Sequence, residues 1–173
     1  MHSPSGETGG RVGEVKRPPP PLLALAAGFA QRSLTRDAPP PSAARALAAT
    51  AISVASVGLA AASARQFRRQ GTTVEPFEPS RAAVLVTTGV NEMSRNPMYV
   101  GMAGLLVANA LRLRSWTAVL PLAVFTGVID RVQIAAEEPA LLANFGAEYE
   151  AYRASVPRWL DLRSVAVARQ ALR

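Results

Sequence analysis

The chain has 173 residues, enough for one domain, and is 49% apolar with only 6% aromatic residues and no cysteine. That composition excludes disulfides, zinc–thiolate sites and thiol nucleophiles, and it argues against a Ser-His-Asp device because the single histidine, His2, lies in a Gly/Ser/Pro-rich tail. The formal charge of +7 comes almost entirely from arginines at the ends of apolar runs, without a basic helix interleaved with aromatics, so nucleic acid is not an expected partner.

Residues 1–21 are rich in Gly, Ser and Pro and end in Pro18-Pro19-Pro20-Pro21, which reads as a disordered arm with a stiff polyproline end. Lys16 and Arg17 precede an apolar run, as in a secretory signal, but no small-residue cleavage site is clear. Residues 22–30 form the first apolar segment, interrupted by Gln31 and Arg32. Its length fits both a tilted span and an interfacial or re-entrant helix. Pro39-Pro40-Pro41 with Ser42 makes a break and a helix cap. Residues 46–64 carry no charge and are bracketed by Arg45 and by Arg65, Arg68 and Arg69, long enough to cross a hydrocarbon core. Their apolar positions show no single face, and the many alanines suit close helix packing in lipid.

The polar connection 65–96 contains Gly71, Pro76 and Pro79, with Thr72-Thr73-Val74-Glu75-Pro76 expected to be extended and residues 84–89 expected to be irregular backbone. Apolar runs at 97–111 and 116–129 flank an Arg112-Leu113-Arg114-Ser115 turn. Each is about 22 Å of helix, short of a ~30 Å core, so flanking residues must contribute. The fourth helix is expected to continue past Asp130 to about Asn144, bent by Pro139 and ended by Phe145-Gly146. Tyr149, Tyr152 and Val156 share a face of a further helix closed by Pro157, and residues 161–173 read as a basic amphipathic tail on the membrane surface.

Two polar clusters stand at the boundaries of these runs. Arg95-Asn96-Pro97-Met98-Tyr99-Val100-Gly101 opens the third, and Glu137-Glu138 follows the fourth. Two apolar stretches joined by a tight turn return both clusters to one side of a bilayer, where ionisable groups are costly to desolvate and mark a candidate site. Arg95 at a helix N-terminus suits a carboxylate; it equally suits a charged anchor with Tyr99 in an aromatic belt. Adjacent glutamates point about 100° apart on a helix, so one faces a pocket while the other meets solvent or an arginine.

Over about residues 72–160 the chain resembles the isoprenylcysteine carboxyl methyltransferase and phospholipid methyltransferase group. The resemblance rests on four features in order: Thr-Val-x-Pro with Gly89, Arg-x-Pro-x-Tyr-x-Gly from Arg95, Glu-Glu-x-x-Leu from Glu137, and Phe-Gly-x-Glu-Tyr with Val156-Pro157. It implies an all-α, multi-pass membrane helical bundle of three to four transmembrane helices with cytoplasmic C-terminal helices, spanning residues 22–160. It also implies S-adenosylmethionine as cofactor, held by Val84, Leu85, Val86, Asn91, Asn96, Pro97, Met98, Tyr99 and Glu137, with Arg95 and Glu137 as the catalytic pair. Asn96 replaces the usual histidine, and near the glutamates Gln133 and Arg131 stand where the family places a substrate-facing arginine. The expected acceptor is amphiphilic or lipid-like, preferentially a carboxylate of the isoprenylcysteine type, with a phospholipid amine as the alternative and a non-enzymatic lipid-binding protein of the same fold as the reading from another class. No metal is expected.

Orientation follows from charge. Of the 19 Lys and Arg residues, Arg32, Arg36, Arg45, Arg112 and Arg114 fall on one side of a four-span arrangement and the other 14 on the opposite side, which the positive-inside rule makes cytoplasmic. Both polar clusters fall on that second side.

Overall fold

The computed structural model describes residues 17–36, 39–69 and 84–171. The N-terminal arm up to residue 16 and the Thr72–Pro76 stretch lie outside the described residues. All regular structure among the described residues is helical. Helix α1 is Pro20–Ser33, begun by a proline whose fixed φ suits a first turn. Helix α2 is Ala43–Arg69. A 3-10 turn, Gly89–Glu92, leads to α3, Pro97–Leu113, again with proline at its start. Arg114 takes a left-handed φ of 53° at the turn. A 3-10 turn at Trp116–Ala118 then runs into α4, Val119–Val128. The helix continues through a π stretch, Ile129–Ile134, into α5, Ala135–Phe145, which contains Pro139. Gly146, at φ 48°, ends it as expected. Helix α6 is Ala147–Ser155 and α7 is Leu162–Ala171.

Two of these helices are long and apolar enough to cross a membrane: α2, with 27 residues, and the continuous run Trp116–Phe145, with 30. At 1.5 Å per residue they measure about 40 and 45 Å. α3 is a shorter apolar helix. Only 17% and 33% of the apolar stretches of these two helices are buried, and many of their large side chains face outward: Leu47, Val54, Val57, Val119, Leu120 and Val124 are all exposed. An apolar exterior on a long apolar helix suits lipid and is unfavourable in water.

α1 and α3 run in one direction, and α2 and the α4–α5 run return. Arg114 reaches the carbonyl of Pro40 at one end of the bundle, while Gln66 of α2 meets Thr88 and Asn91 at the other. α2 packs chiefly on α3, and α1 on α3 and α4. The α2–α3 seam is built of small residues. Ala49, Ser56 and Ser63 recur every seven positions on α2 and are buried. Opposite them, a Cβ on Gly101 would meet the Ser56 carbonyl oxygen at 2.7 Å and Ala60 Cβ at 3.0 Å. This stripe explains why α2 shows no large apolar face in the sequence: its buried face consists of Ala and Ser, which carry little hydropathy signal.

α1 is fastened by a polar contact. Gln31 is fully buried, and its amide donates to the Leu106 carbonyl at 3.0 Å and the Ala118 carbonyl at 2.8 Å, while Asn109 donates to Gln31 Oε1 at 2.8 Å. The apolar core lies nearer the opposite end, around Tyr99, Leu106, Phe125, Ile129 and Ile134, with Leu23, Ala24 and Ala27 of α1 against it.

Candidate active site

The end of the bundle that carries the start of α3 also carries α5. Their proximity joins the two polar clusters: Tyr99 Oη donates to Glu137 Oε1 at 2.7 Å, and Gln133 Nε2 donates to the same oxygen at 2.6 Å. Glu137 and Gln133 are one turn apart across the end of the π stretch, which is how the wider turn brings Gln133 inward. Glu138 points elsewhere. It accepts from Arg95 Nη1 at 2.9 Å and from Arg158 Nε at 3.1 Å and Nη2 at 2.5 Å. Arg158 also reaches Asp130 at 3.1 Å, and Trp159 Nε1 donates to that same carboxylate oxygen at 3.0 Å. The Glu138 hydrogen bonds hold the Arg158 guanidinium above its ordinary pKa.

The segment after α6 closes the site through its backbone. Pro157 accepts from the Arg95 amide at 2.9 Å, and the Arg158 carbonyl accepts from Ser94 Oγ and Asn96 Nδ2, each at 3.0 Å. Asn96, in the place of the expected histidine, therefore acts in part as a clip between α3 and the C-terminal segment. Tyr149, Tyr152 and Val156 form the second buried cluster, with Leu85, Leu141, Leu142 and Phe145 against it. Tyr149 Oη accepts from Arg95 at 3.1 Å, and Tyr152 Oη donates to the Asn91 carbonyl at 2.7 Å. Burial raises both phenols above their usual pKa, and the Glu138 carboxylate adds to the rise at Tyr149.

These elements enclose a cavity of about 80 Å³ lined by Phe67, Val84, Leu85, Val86, Asn91, Arg95, Asn96, Ile134, Glu137, Glu138, Leu141, Tyr149 and Tyr152. Of the residues expected from sequence, Val84, Leu85, Val86, Asn91, Arg95, Asn96 and Glu137 meet at this cavity. Tyr99 and Gln133 stand behind Glu137 as its hydrogen-bond donors. Pro97 is buried at the helix start and Met98 is half-buried, and neither lines the cavity. Arg131 is directed away: its side chain is 86% exposed and pairs with Asp130 at 3.3 Å.

Several lining or supporting groups were not anticipated. An arginine was an expected partner for one of the two glutamates, but the network that joins Glu138 and Asp130 to Arg158 and Trp159 was not, nor were Phe67 and Gln66, which enter from the end of α2. Val156-Pro157-Arg158-Trp159 was visible as a motif; the carboxylates it would meet were not.

The chemistry of the lining suits a zwitterionic ligand with an apolar ring. Arg95 has a buried Nε without a hydrogen-bond partner among the described residues, a donor awaiting an acceptor. Asn91 and Asn96 supply amides, Glu137 a carboxylate, and Val84, Val86, Ile134 and Leu141 apolar surface. A nucleoside-sized ligand needs about 300 Å³ or more, so the cavity must widen to receive one. Among the described residues no group of three or more His, Asp or Glu is placed to hold a metal.

An uncharacterized protein of Haemophilus influenzae is 41% identical over 63 residues, 36% of this chain and the whole of that relative. No solved structure matches. The phospholipid methyltransferase family matches residues 44–148, from the start of α2 through both polar clusters to α6. With those 105 residues matched, well over half of the chain, the protein belongs to the phospholipid methyltransferase family, integral-membrane methyltransferases of the isoprenylcysteine carboxyl methyltransferase type.

Proposed function

We propose that this protein transfers a methyl group from S-adenosylmethionine to an amphiphilic acceptor at the cytoplasmic boundary of a membrane crossed three to four times. The observation that carries the reading is the convergence of Arg95, Asn91, Asn96 and Glu137 on one cavity at the end of an apolar bundle, with a buried Arg95 Nε that has no partner among the described residues. When bound, S-adenosylmethionine would supply an electrophilic methyl on a sulfonium. Arg95 would hold the methionyl carboxylate, Asn91 and Asn96 the polar edges, and the Val84–Val86 strip with Ile134 and Leu141 the adenine face. Glu137 is oriented by Tyr99 and Gln133 through one oxygen, and its other oxygen has no hydrogen bond among the described residues, which leaves it for an ammonium or hydroxyl. The remaining work of the protein is positioning and exclusion of water. Tyr149, Tyr152 and the Pro157–Arg158 clips keep the far wall dry and fixed.

The preferred acceptor is a carboxylate of the isoprenylcysteine type. A carboxylate is ionised at neutral pH and needs no general base, and Glu138, fully engaged by two arginines, is poorly placed to be one. The second reading is a phospholipid amine, favoured by the description of the matched family and by the open Glu137 oxygen, which would accept the amine proton. Arg131 and Gln133 were the expected substrate contacts; Gln133 supports Glu137, and an acceptor reaching Arg131 would have to approach from the lipid-facing side.

The test is incubation of the purified protein with methyl-labelled S-adenosylmethionine and, separately, prenylated cysteine acids and phosphatidylethanolamine bilayers. A base-labile methyl ester supports the first reading and a base-stable N-methyl lipid the second. Cofactor binding without transfer to either acceptor would overturn both acceptor assignments, and absence of cofactor binding would overturn the enzyme.

A further inference from the structure

The opposite end of the bundle holds a second feature that methyl transfer does not use. The start of α2, the end of α3 and the start of α4 meet around an open groove of about 390 Å³, lined by Arg45, Val107, Ala110, Leu111, Arg114, Ser115, Trp116 and Val119. Its walls are apolar, and its rim carries two guanidinium groups. Trp116 stands 78% exposed beside them, and Val107 and Val119 are also exposed.

The charge around it is one-sided. Glu92, Asp130, Glu137, Glu138, Glu148, Glu150 and Asp161, all of the carboxylates among the described residues, belong to elements at or beyond the end that bears the candidate active site. Arg45 and Arg114 take part in no ion pair among the described residues; Arg114 makes a 3.3 Å hydrogen bond to the Pro40 carbonyl. Together with Arg32, Arg36 and Arg112 they form a cationic rim above an apolar belt. In a membrane protein whose other basic residues, among the described residues, lie on the opposite side, arginines here work against the usual charge bias, so an anionic partner at this level would offset a real cost.

We propose that the groove between α2, α3 and α4 binds one anionic phospholipid of the leaflet opposite the candidate active site. Its phosphate lies between Arg45 and Arg114, one acyl chain runs along Val107, Leu111 and Val119, and Trp116 sits at the headgroup boundary, where its amphipathic ring is favoured. Two charges and an apolar wall select a lipid with a negative head; a zwitterionic head presents its own cation to the arginines and gains less. The proposal rests on the membrane assignment and is independent of methyl transfer.

Native mass spectrometry of the full chain, extracted in mild detergent and equilibrated with equal amounts of dioleoyl phosphatidylglycerol and dioleoyl phosphatidylcholine, tests it. One phosphatidylglycerol should be retained per chain, preferred about tenfold or more from two arginines near the membrane surface. Arg45→Gln with Arg114→Gln should abolish the preference, whereas Arg32→Gln with Arg112→Gln, which removes equal charge from the same end, should preserve it. Val107→Trp leaves both arginines in place and fills the groove, so it should also lose the lipid; it guards against misfolding of the double arginine variant. Equal retention of the two lipids by the parent chain would overturn the proposal. So would equal loss in both double variants, which would mean a diffuse field, retention in Val107→Trp, or displacement by millimolar inorganic phosphate, which would mean an anion site without a tail.

Discussion

Replacing Glu138 by glutamine should destabilise the fold far more than the same change at its neighbour. Glu138 is 14% exposed and lies between two cations, Arg95 at 2.9 Å and Arg158 at 2.5 Å. Arg158 is one-third exposed and keeps Asp130, so its share of the loss is small, at most about 1 kcal/mol. Arg95 is only 10% exposed and would keep only neutral acceptors, the glutamine oxygen and the Tyr149 hydroxyl, with its counter-charge gone. Removing one member of a buried ion pair costs about 3–5 kcal/mol because the remaining charge is uncompensated. A loss of about 3–4 kcal/mol is therefore expected for Glu138→Gln. Glu137→Gln differs: a glutamine oxygen still accepts from Tyr99 and Gln133, so stability should fall by no more than about 1 kcal/mol. Its cost should appear in S-adenosylmethionine affinity, about ten- to a hundredfold for a lost charge-assisted bond. Denaturation in mixed detergent micelles measures the first quantity and calorimetric titration with cofactor the second. A Glu138→Gln protein as stable as the parent would refute the buried-network reasoning, and a Glu137→Gln protein with undiminished affinity would remove Glu137 from the cofactor site.

Two further outcomes follow from packing and charge. Gly104→Ala should destabilise by about 1–3 kcal/mol, since the new Cβ would strike Ser56 Oγ across the α2–α3 seam, while Gly127→Ala, with nothing within 4 Å among the described residues, should be neutral or slightly stabilising; equal effects in thermal unfolding would mean that the seam is loose. In this cysteine-free chain, single cysteines at Gln170 and Arg112, both exposed and at opposite ends, should respectively resist and accept an impermeant thiol reagent applied to intact cells; the reverse pattern would invert the topology.

Much of this arrangement was legible in the residues. Proline starts, the Gly146 stop and the Arg112–Ser115 turn fix α3, α4 and α5, and the hairpin between them brings Arg95 and Glu137 to one end. Less legible was anything that depends on phase or on distant pairing. The π stretch at Ile129–Ile134 widens one turn, and a 3.6-residue count has no means of anticipating which way Asp130 and Arg131 then point. Arg131, expected near the substrate, turns outward, and Asp130 turns toward Arg158 and Trp159. The α2 seam escaped for a different reason: a stripe of Ala and Ser at seven-residue spacing carries almost no contrast in a helix that is Ala-rich on every side. The partners of Glu138 escaped because ion pairing between α5 and a segment 20 residues later leaves no periodic trace.

The Gln31 contact has a consequence for how the protein is made. Its three partners, Leu106, Asn109 and Ala118, lie 75 to 87 residues further along the chain. While α1 emerges from the ribosome, none of them exists, and an unsatisfied amide is costly to hold in hydrocarbon. α1, with 14 residues about 21 Å long, is also too short to be held firmly across a bilayer by its own apolar surface. The polar fastening of α1 can therefore form only after α3 and the start of α4 have been made. α1 is made before its partners and fastened after them.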